Sequence, residues 1–152
     1  MTCKHDQLYI DMAHLVAGQS HDDEVKVGSV IVRNGQVLSQ GWNGMPAGMD
    51  NNTRHYTGAT KQEVIHSEAN ALMKLAKNGG GSDGSTIFCT HSPCIECSKL
   101  LLQAGIKRVV YSHCYDETTI IFLKERGLEL ESIRPSDRVL AAEGREDQSK
   151  QS

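Results

Sequence analysis

Two short stretches of the chain carry residue types that can do chemistry together: His66-Ser67-Glu68 and Pro93-Cys94-Ile95-Glu96-Cys97. They supply one imidazole, two thiols and a spare carboxylate, which is three zinc donors plus an acid/base group with the fourth metal position open. Cys94 and Cys97 stand three positions apart, so on a helical turn both sulfurs face the same way. Pro93 precedes them, as prolines do where helices begin. The positive end of a helix dipole favours the thiolate that a metal needs. Two thiolates against Zn2+ leave the unit near neutral. Zinc with an open position lowers the pKa of a water from about 15.7 towards roughly 7. Glu68, two residues from a donor, is placed to take that water's proton and return it elsewhere. The expected chemistry is hydrolytic. A thioredoxin-like redox pair accounts for neither His66 nor Glu68. A closed structural zinc site, with Cys89, His91 or Cys114 as fourth donor, stays open on spacing alone.

The surrounding pattern says which elements must hold these groups. Apolar residues at Leu8, Ile10, Met12, Leu15 and Val16 predict a helix over 6–18, with Asp6 as N-cap and Gly18 as stop. Residues 27–33 and 36–42 read as strands joined by Asn34-Gly35, a two-residue hairpin turn. Residues 43–64 are too long and too polar for a plain connector, which marks them as functional or mobile. His66-Ser67-Glu68 opens a helix over 67–77 and Cys94 opens another over 94–104. Residues 85–90, 106–112 and 128–133 are strands, Tyr111 packing within the second of them. Asp116 caps a helix over 117–126. The order α-β-β-α-β-α-β-α-β predicts an α/β fold, a mixed sheet of about five strands sandwiched by helices, over residues 1–134. Residues 135–152 read as a charged, mobile tail in which Val139, Leu140 and Ala141 can dock one turn.

Composition excludes several classes. The 152 residues suffice for one core, and a hydrophobic content of 38% with 23% charged is that of an ordinary globular domain. A net charge of −3 argues against holding nucleic acid by broad phosphate neutralisation. No apolar run approaches membrane-spanning length and Met1 to Gln7 is polar, so neither a membrane span nor a signal peptide is expected. Five cysteines, an odd number, fit a reducing, cytoplasmic setting.

His66-x-Glu68 with Pro93-Cys94-x-x-Cys97 resembles the cytidine/deoxycytidylate deaminase superfamily, over about Leu8 to Ile133. Flanking words narrow the resemblance: V-G-S-V-I-V at 27–32, G-W-N-G-M-P-A-G at 41–48 and L-L-Q-A-G-I-K-R-V-V at 101–110 are similar to the dCMP deaminase branch. The resemblance implies a three-layer α-β-α sandwich and one catalytic zinc per chain on His66, Cys94 and Cys97. It makes Glu68 the proton shuttle. Water adds at C4 of the cytosine ring, Glu68 protonates N3, and ammonia leaves, turning dCMP into dUMP for dTMP synthesis. Ser67 stands where alanine is more usual, its hydroxyl free to add a cap bond.

For substrate grip the resemblance implies Asn43 on a sugar hydroxyl, and Thr90, His91 and Ser92 along the base and phosphate pocket. It places Tyr115 as a ring-and-hydroxyl contact and Lys26 at the 5′-phosphate. It implies an effector site on Asn43, Gly44, Met45, Pro46, Ala47, Gly48 and Asp50, where dCTP with Mg2+ activates and dTTP inhibits, in a homo-oligomer, a hexamer. Some relatives hold a second zinc with cysteines near positions 22 and 49. Asp22 and Met49 stand there in this chain, so one zinc is expected, with His21 and His55 ordinary exposed histidines. Trp42 is core or an interface anchor. Free-nucleoside deaminases present Cys where His66 stands, riboflavin-pathway deaminases space the second cysteine further out, and tRNA adenosine deaminases need a more basic surface. A deaminase of a related substrate, dCTP or tRNA adenosine, and a zinc-stabilised deoxynucleotide sensor without catalysis remain the alternatives.

Overall fold

Asn34 and Gly35 both take positive φ, 53° and 74°, the left-handed pair that a tight hairpin needs. They join β1 (Gly28–Arg33) to β2 (Gln36–Trp42). The computed structural model describes residues 3–150 in backbone and 3–143 in side chains, so Met1, Thr2 and the last two residues of the expected tail lie outside the described residues. The hairpin is preceded by α1 (Asp6–Ala17) and followed by α2 (Ser67–Lys77), β3 (Thr86–His91), α3 (Ile95–Gln103), β4 (Arg108–His113), α4 (Glu117–Glu125), β5 (Glu129–Ser132) and α5 (Asp137–Lys150).

The five strands form one sheet in the order β2-β1-β3-β4-β5. β1 runs antiparallel to both β2 and β3, whereas β3, β4 and β5 run parallel. Parallel neighbours need a crossover, which α3 and α4 provide. Alternation along each strand sends side chains to opposite faces. Val30, Val32, Phe88 and Val110 meet Ile10 and Ala13 of α1 on one face. Ile31, Ile87, Cys89 and Val109 meet Ala71, Leu72 and Leu75 of α2, Leu101 of α3 and Leu123 of α4 on the other. The result is the expected three-layer α-β-α sandwich on a mixed five-stranded sheet. Gly28 pairs with Trp42, Ser29 with Cys89, and His91 with His113, so one end of the sheet gathers the chemistry-bearing residues.

Gly41 on β2 explains how α2 lies so close. A Cβ there would fall 2.4 Å from the Ser67 carbonyl oxygen and 2.5 Å from the Ala71 nitrogen. Only glycine leaves room for the helix backbone to rest on the strand.

Two expectations change. Asp6 is not the N-cap of α1: His5 takes that place, and Asp6 is the first helical residue. Its buried carboxylate accepts from the Cys3 backbone N–H at 2.7 Å and from both terminal nitrogens of Arg108 on β4 at 2.9 and 2.6 Å. Arg108 also pairs with Glu131 on β5. A long-range ion pair has claimed the side chain that local spacing assigned to a cap. The segment after Pro135 docks the turn expected at Val139 but is helical well beyond it. It forms α5, whose first turn docks on α1: the Ser136 N–H donates to Asp11 Oδ1 at 2.9 Å, and Val139 is buried. Further along, Glu143 Oε1 lies 3.3 Å from His14 Nδ1.

Candidate active site

His66 and Cys94 occupy the same position in two different helices. Each is an N-cap with extended backbone, His66 at φ −68°, ψ 156° before α2 and Cys94 at φ −71°, ψ 173° before α3. Cys97 lies in the first turn of α3, its N–H donating to Cys94 Sγ at 3.5 Å. The two helix starts meet, and the donor atoms of His66, Cys94 and Cys97 all lie within 4.8 Å of one another. No other group of three His, Cys, Asp or Glu among the described residues does so. Cys89, His91 and Cys114, which could have closed a fourth position, are outside it. Cys89 is buried with its Sγ 3.5 Å from Ser29 Oγ, and burial pushes its thiol well above the ordinary value.

The donor set fits zinc. His66 Nδ1 lies 3.4 Å from Cys94 Sγ and 3.4 Å from Cys97 Sγ. Zn–N of about 2.0–2.1 Å and Zn–S of about 2.3 Å put nitrogen and sulfur about 3.6 Å apart on the edge of a tetrahedron. The electrostatics agree. Hydrogen bonds from Cys97 and from His66 hold Cys94 down at about 3. The Cys94 thiolate and burial push Cys97 far up. His66 is raised by the Cys94 thiolate beside it, against burial. Cys94 is thus the readier thiolate of the two, and a divalent metal favours the thiolate form of both.

Glu68 is 4% exposed and stands one residue into the first turn of α2. The expected cap bond from Ser67 is absent. Its hydroxyl instead donates to Glu68 Oε1 at 3.0 Å and meets Ser29 Oγ at 2.6 Å. Both serines are fully buried, so the hydroxyl finds better partners inside than at the helix end.

The centre opens into a cavity of about 250 Å3. His66, Glu68 and Cys94 stand on its lining with Asn43, His91, Ser92 and Tyr115. The expected substrate residues divide there. Ser92 is buried, its Oγ accepting from the Tyr115 N–H at 2.7 Å, while Tyr115 is 73% exposed at the rim. Thr90 is off the lining; its Oγ1 accepts from the Gly28 N–H at 3.2 Å and lies 2.9 Å from His91 Nδ1. Asn43 spends its side-chain amide on the backbone, Oδ1 accepting from Val27 N–H and Nδ2 donating to the Val25 carbonyl, both at 2.8 Å. Lys26 is off the lining, its Nζ donating to the Ser20 carbonyl. Gly44 to Asp50 also lie off it. Gly44 forms a bridge with Ile65, and Gly48 has φ 86°. His21 and His55 are exposed, and Trp42 is half-buried with Lys74 Nζ 3.9 Å from its ring centroid.

Sequence reasoning missed one part of the wall. Asp22, 1% exposed, accepts from the N–H groups of Glu24 and Val25 at 2.9 and 2.8 Å, from Thr53 Oγ1 at 2.8 Å, and from Arg54 Nε and Nη2 at 3.2 and 3.0 Å. Burial alone would raise its pKa. The Val25 N–H, the Arg54 guanidinium, the Glu24 N–H and the Thr53 hydroxyl together outweigh that and bring it to about 2. This clasp pins the 43–64 segment to the 19–26 loop and puts Arg54 on the cavity lining, where it is the one Arg or Lys among the described residues. Nothing periodic in the sequence pairs residue 22 with residue 54.

Comparisons with known proteins agree with the geometry. A family model described as the cytidine and deoxycytidylate deaminase zinc-binding region matches residues 3–113. A deoxycytidylate deaminase of Enterobacteria phage T2 is 30% identical over 150 residues, covering 71% of this chain and 79% of that protein. ComE operon protein 2 of Bacillus subtilis (strain 168) is 31% identical, covering 93% and 77%. The crystal structure of dCMP deaminase from the cyanophage S-TIM5, in complex with dCMP and dUMP, superposes with a TM-score of 0.83 at 41% identity, covering 88% of this chain and 99% of that one. The matched region spans every donor and Glu68, so the chain belongs to the family of the cytidine and deoxycytidylate deaminase zinc-binding region.

Proposed function

We propose that this chain deaminates dCMP to dUMP and ammonia. The observation that carries the proposal is the joining, in one cavity, of a three-donor metal centre and Glu68 at one part of the wall with a lone guanidinium, Arg54, at another. A similar protein, 41% identical, is described in complex with dCMP and dUMP. Zinc held by His66, Cys94 and Cys97 supplies Lewis acidity that makes water a nucleophile at neutral pH. The chain's own residues do the rest. Glu68 takes a proton from the water that adds to C4 and gives it to ring N3. A second proton transfer lets the C4–N bond break, releasing ammonia and leaving the ring carbonyl. Ser92 and Tyr115 border the base and sugar, and Asn43 holds the Val25–Val27 backbone in the shape that wall requires.

For the 5′-phosphate, Arg54 is better placed than Lys26. Asp22 aims it, and its contact with the exposed Glu24, at 3.2 Å, is a pair that a phosphate can replace. The test is turnover by the zinc-loaded protein, followed by ultraviolet absorbance, on dCMP, deoxycytidine and dCTP. The wild type turns over dCMP in preference to both others. Arg54→Ala costs dCMP roughly 10- to 100-fold more in KM than it costs deoxycytidine, the worth of a charged hydrogen bond, any loss common to both being that of the broken Asp22 clasp. No turnover of dCMP sinks the substrate proposal, and an equal loss on deoxycytidine sinks the role of Arg54.

The effector proposal places dCTP with Mg2+, or dTTP, on Gly44 to Asp50 of a cytoplasmic hexamer. Its support is a glycine-bearing segment, half-buried at Gly44 to Pro46 and exposed from Ala47 to Asp50: a Cβ on Gly44 would meet only the Trp42 Cδ1 atom, at 3.9 Å, so a ligand can approach the backbone closely. Activation by dCTP and inhibition by dTTP in the same assay, with a hexameric mass in solution, are the expected results.

A further inference from the structure

Ser29 and Ser67 come from different parts of the fold. Ser29 lies on β1, between Gly41 of β2 and Cys89 of β3, and Ser67 is the first residue of α2. Both side chains are fully buried and their hydroxyls meet at 2.6 Å. Glu68 Oε1 is 3.0 Å from Ser67 Oγ and 3.5 Å from Ser29 Oγ. A hydroxyl has one proton to give. Ser67 gives its proton to the nearer acceptor, Oε1, and the close Ser29–Ser67 contact then requires Ser29 to donate to Ser67. The bonds run one way, from the sheet through the helix start to the carboxylate, and each strengthens the next.

From this we infer that Ser29 and Ser67 are a positioning pair: they hold Glu68 Oε1 as an acceptor and so confine the shuttled proton to Oε2. The inference rests on the proposed role of Glu68 as shuttle. The last torsion of a glutamate is broad and roughly two-fold, so an untethered carboxylate presents either oxygen. A tether on one oxygen removes that choice, and misplacement by about 1 Å at a reacting group costs up to about 10²-fold in rate. The tether originates in the central strands, so the position of the acid/base group is set by the sheet as well as by its own helix. The two hydroxyls are not equivalent. Removing Ser29 leaves the Ser67–Glu68 bond in place, whereas removing Ser67, or both, takes the nearer donor from a buried carboxylate oxygen.

The experiment compares wild type, Ser29→Ala, Ser67→Ala and the double variant for kcat and KM on dCMP, zinc per chain, and unfolding midpoint. The expected result is a kcat lower by roughly 10- to 100-fold in Ser67→Ala and in the double variant, with KM and zinc content unchanged. Ser29→Ala keeps more of kcat than Ser67→Ala, because the Ser67–Glu68 bond remains in it. A double variant with wild-type kcat overturns the inference, as does a kcat that follows midpoint or zinc loss through the series. A wild type inert on dCMP overturns the substrate proposal instead. The pair is then judged by urea unfolding in a Glu68→Ala background: a smaller effect of Ser67→Ala there than in wild type supports the tether, and an equal effect overturns it.

Discussion

Glu68 shares one backbone turn with a metal donor, because His66 is the N-cap of the helix whose second residue is Glu68. Any motion of that helix start therefore moves acid/base group and metal together. Glu68→Gln preserves shape and removes the proton-carrying function. It is expected to keep zinc, by metal analysis, and to lose about 10²–10⁴ in kcat. A variant with zinc and full activity would mean that another group moves the proton. Asp22 allows a second prediction at this scale. Its folded pKa of about 2 lies below the usual value of about 3.9, so its contribution is fully present above that ordinary value and is lost as pH falls towards 2. By linkage this is about 2 kcal/mol. Urea unfolding of wild type should weaken between pH 5 and pH 3, while Asp22→Asn should be less stable at pH 7 and show less of that slope. The four chemical residues were legible because cysteines at i and i+3 and a His-x-Glu at a helix start are local patterns. The Asp22–Arg54 clasp and the Asp6–Arg108 pair join residues 32 and 102 positions apart, and separations of that size leave no spacing to read.

Among the elements, α2 carries a double constraint. It must bring His66 to Cys94 and Cys97 while lying flat on β2, and Gly41 sets the separation. Gly41→Ala puts a methyl group into the Ser67 carbonyl and the Ala71 nitrogen, both backbone atoms that cannot swing aside. The expected result is a loss of about 1–3 kcal/mol of stability, the cost of overpacking a fitted contact, with lower zinc affinity by competition with a chromophoric chelator. Stability lost with zinc affinity retained would show that strand and helix part without disturbing the centre. Helix and strand identities followed from periodicity, and α2 covers the expected residues, Ser67–Lys77. The hairpin followed from Asn-Gly chemistry. What periodicity did not reveal was how 43–64 folds back, since its order comes from Asp22, the Gly44–Ile65 bridge and the Arg54–Thr60 bridge, each a partner supplied by distant or irregular chain. The docked turn at Val139 was legible, but the helical extent of α5 was obscured by its charge, because polar residues beyond that turn carry no apolar period.

Over the whole molecule, the sheet has two halves of different character. β1 and β2 form an antiparallel hairpin, β3 to β5 a parallel crossover unit, and the halves meet where β1 pairs with β3. α2 leads from the first half to the second and α3 belongs wholly to the second, yet their first turns converge on His66, Cys94 and Cys97. A bound metal is thus a rivet between two sub-units of folding, and its removal should be visible far from any substrate. Amide hydrogen exchange after chelation is expected to rise first in the opening turns of α2 and α3, where the end N–H groups lose their anchor. Exchange in β3 and β4, inside the packed sheet, should stay slow until global unfolding. Uniform acceleration throughout the chain would instead mean that the rivet holds up the entire fold, and that this chain keeps its shape only for as long as it keeps its ion.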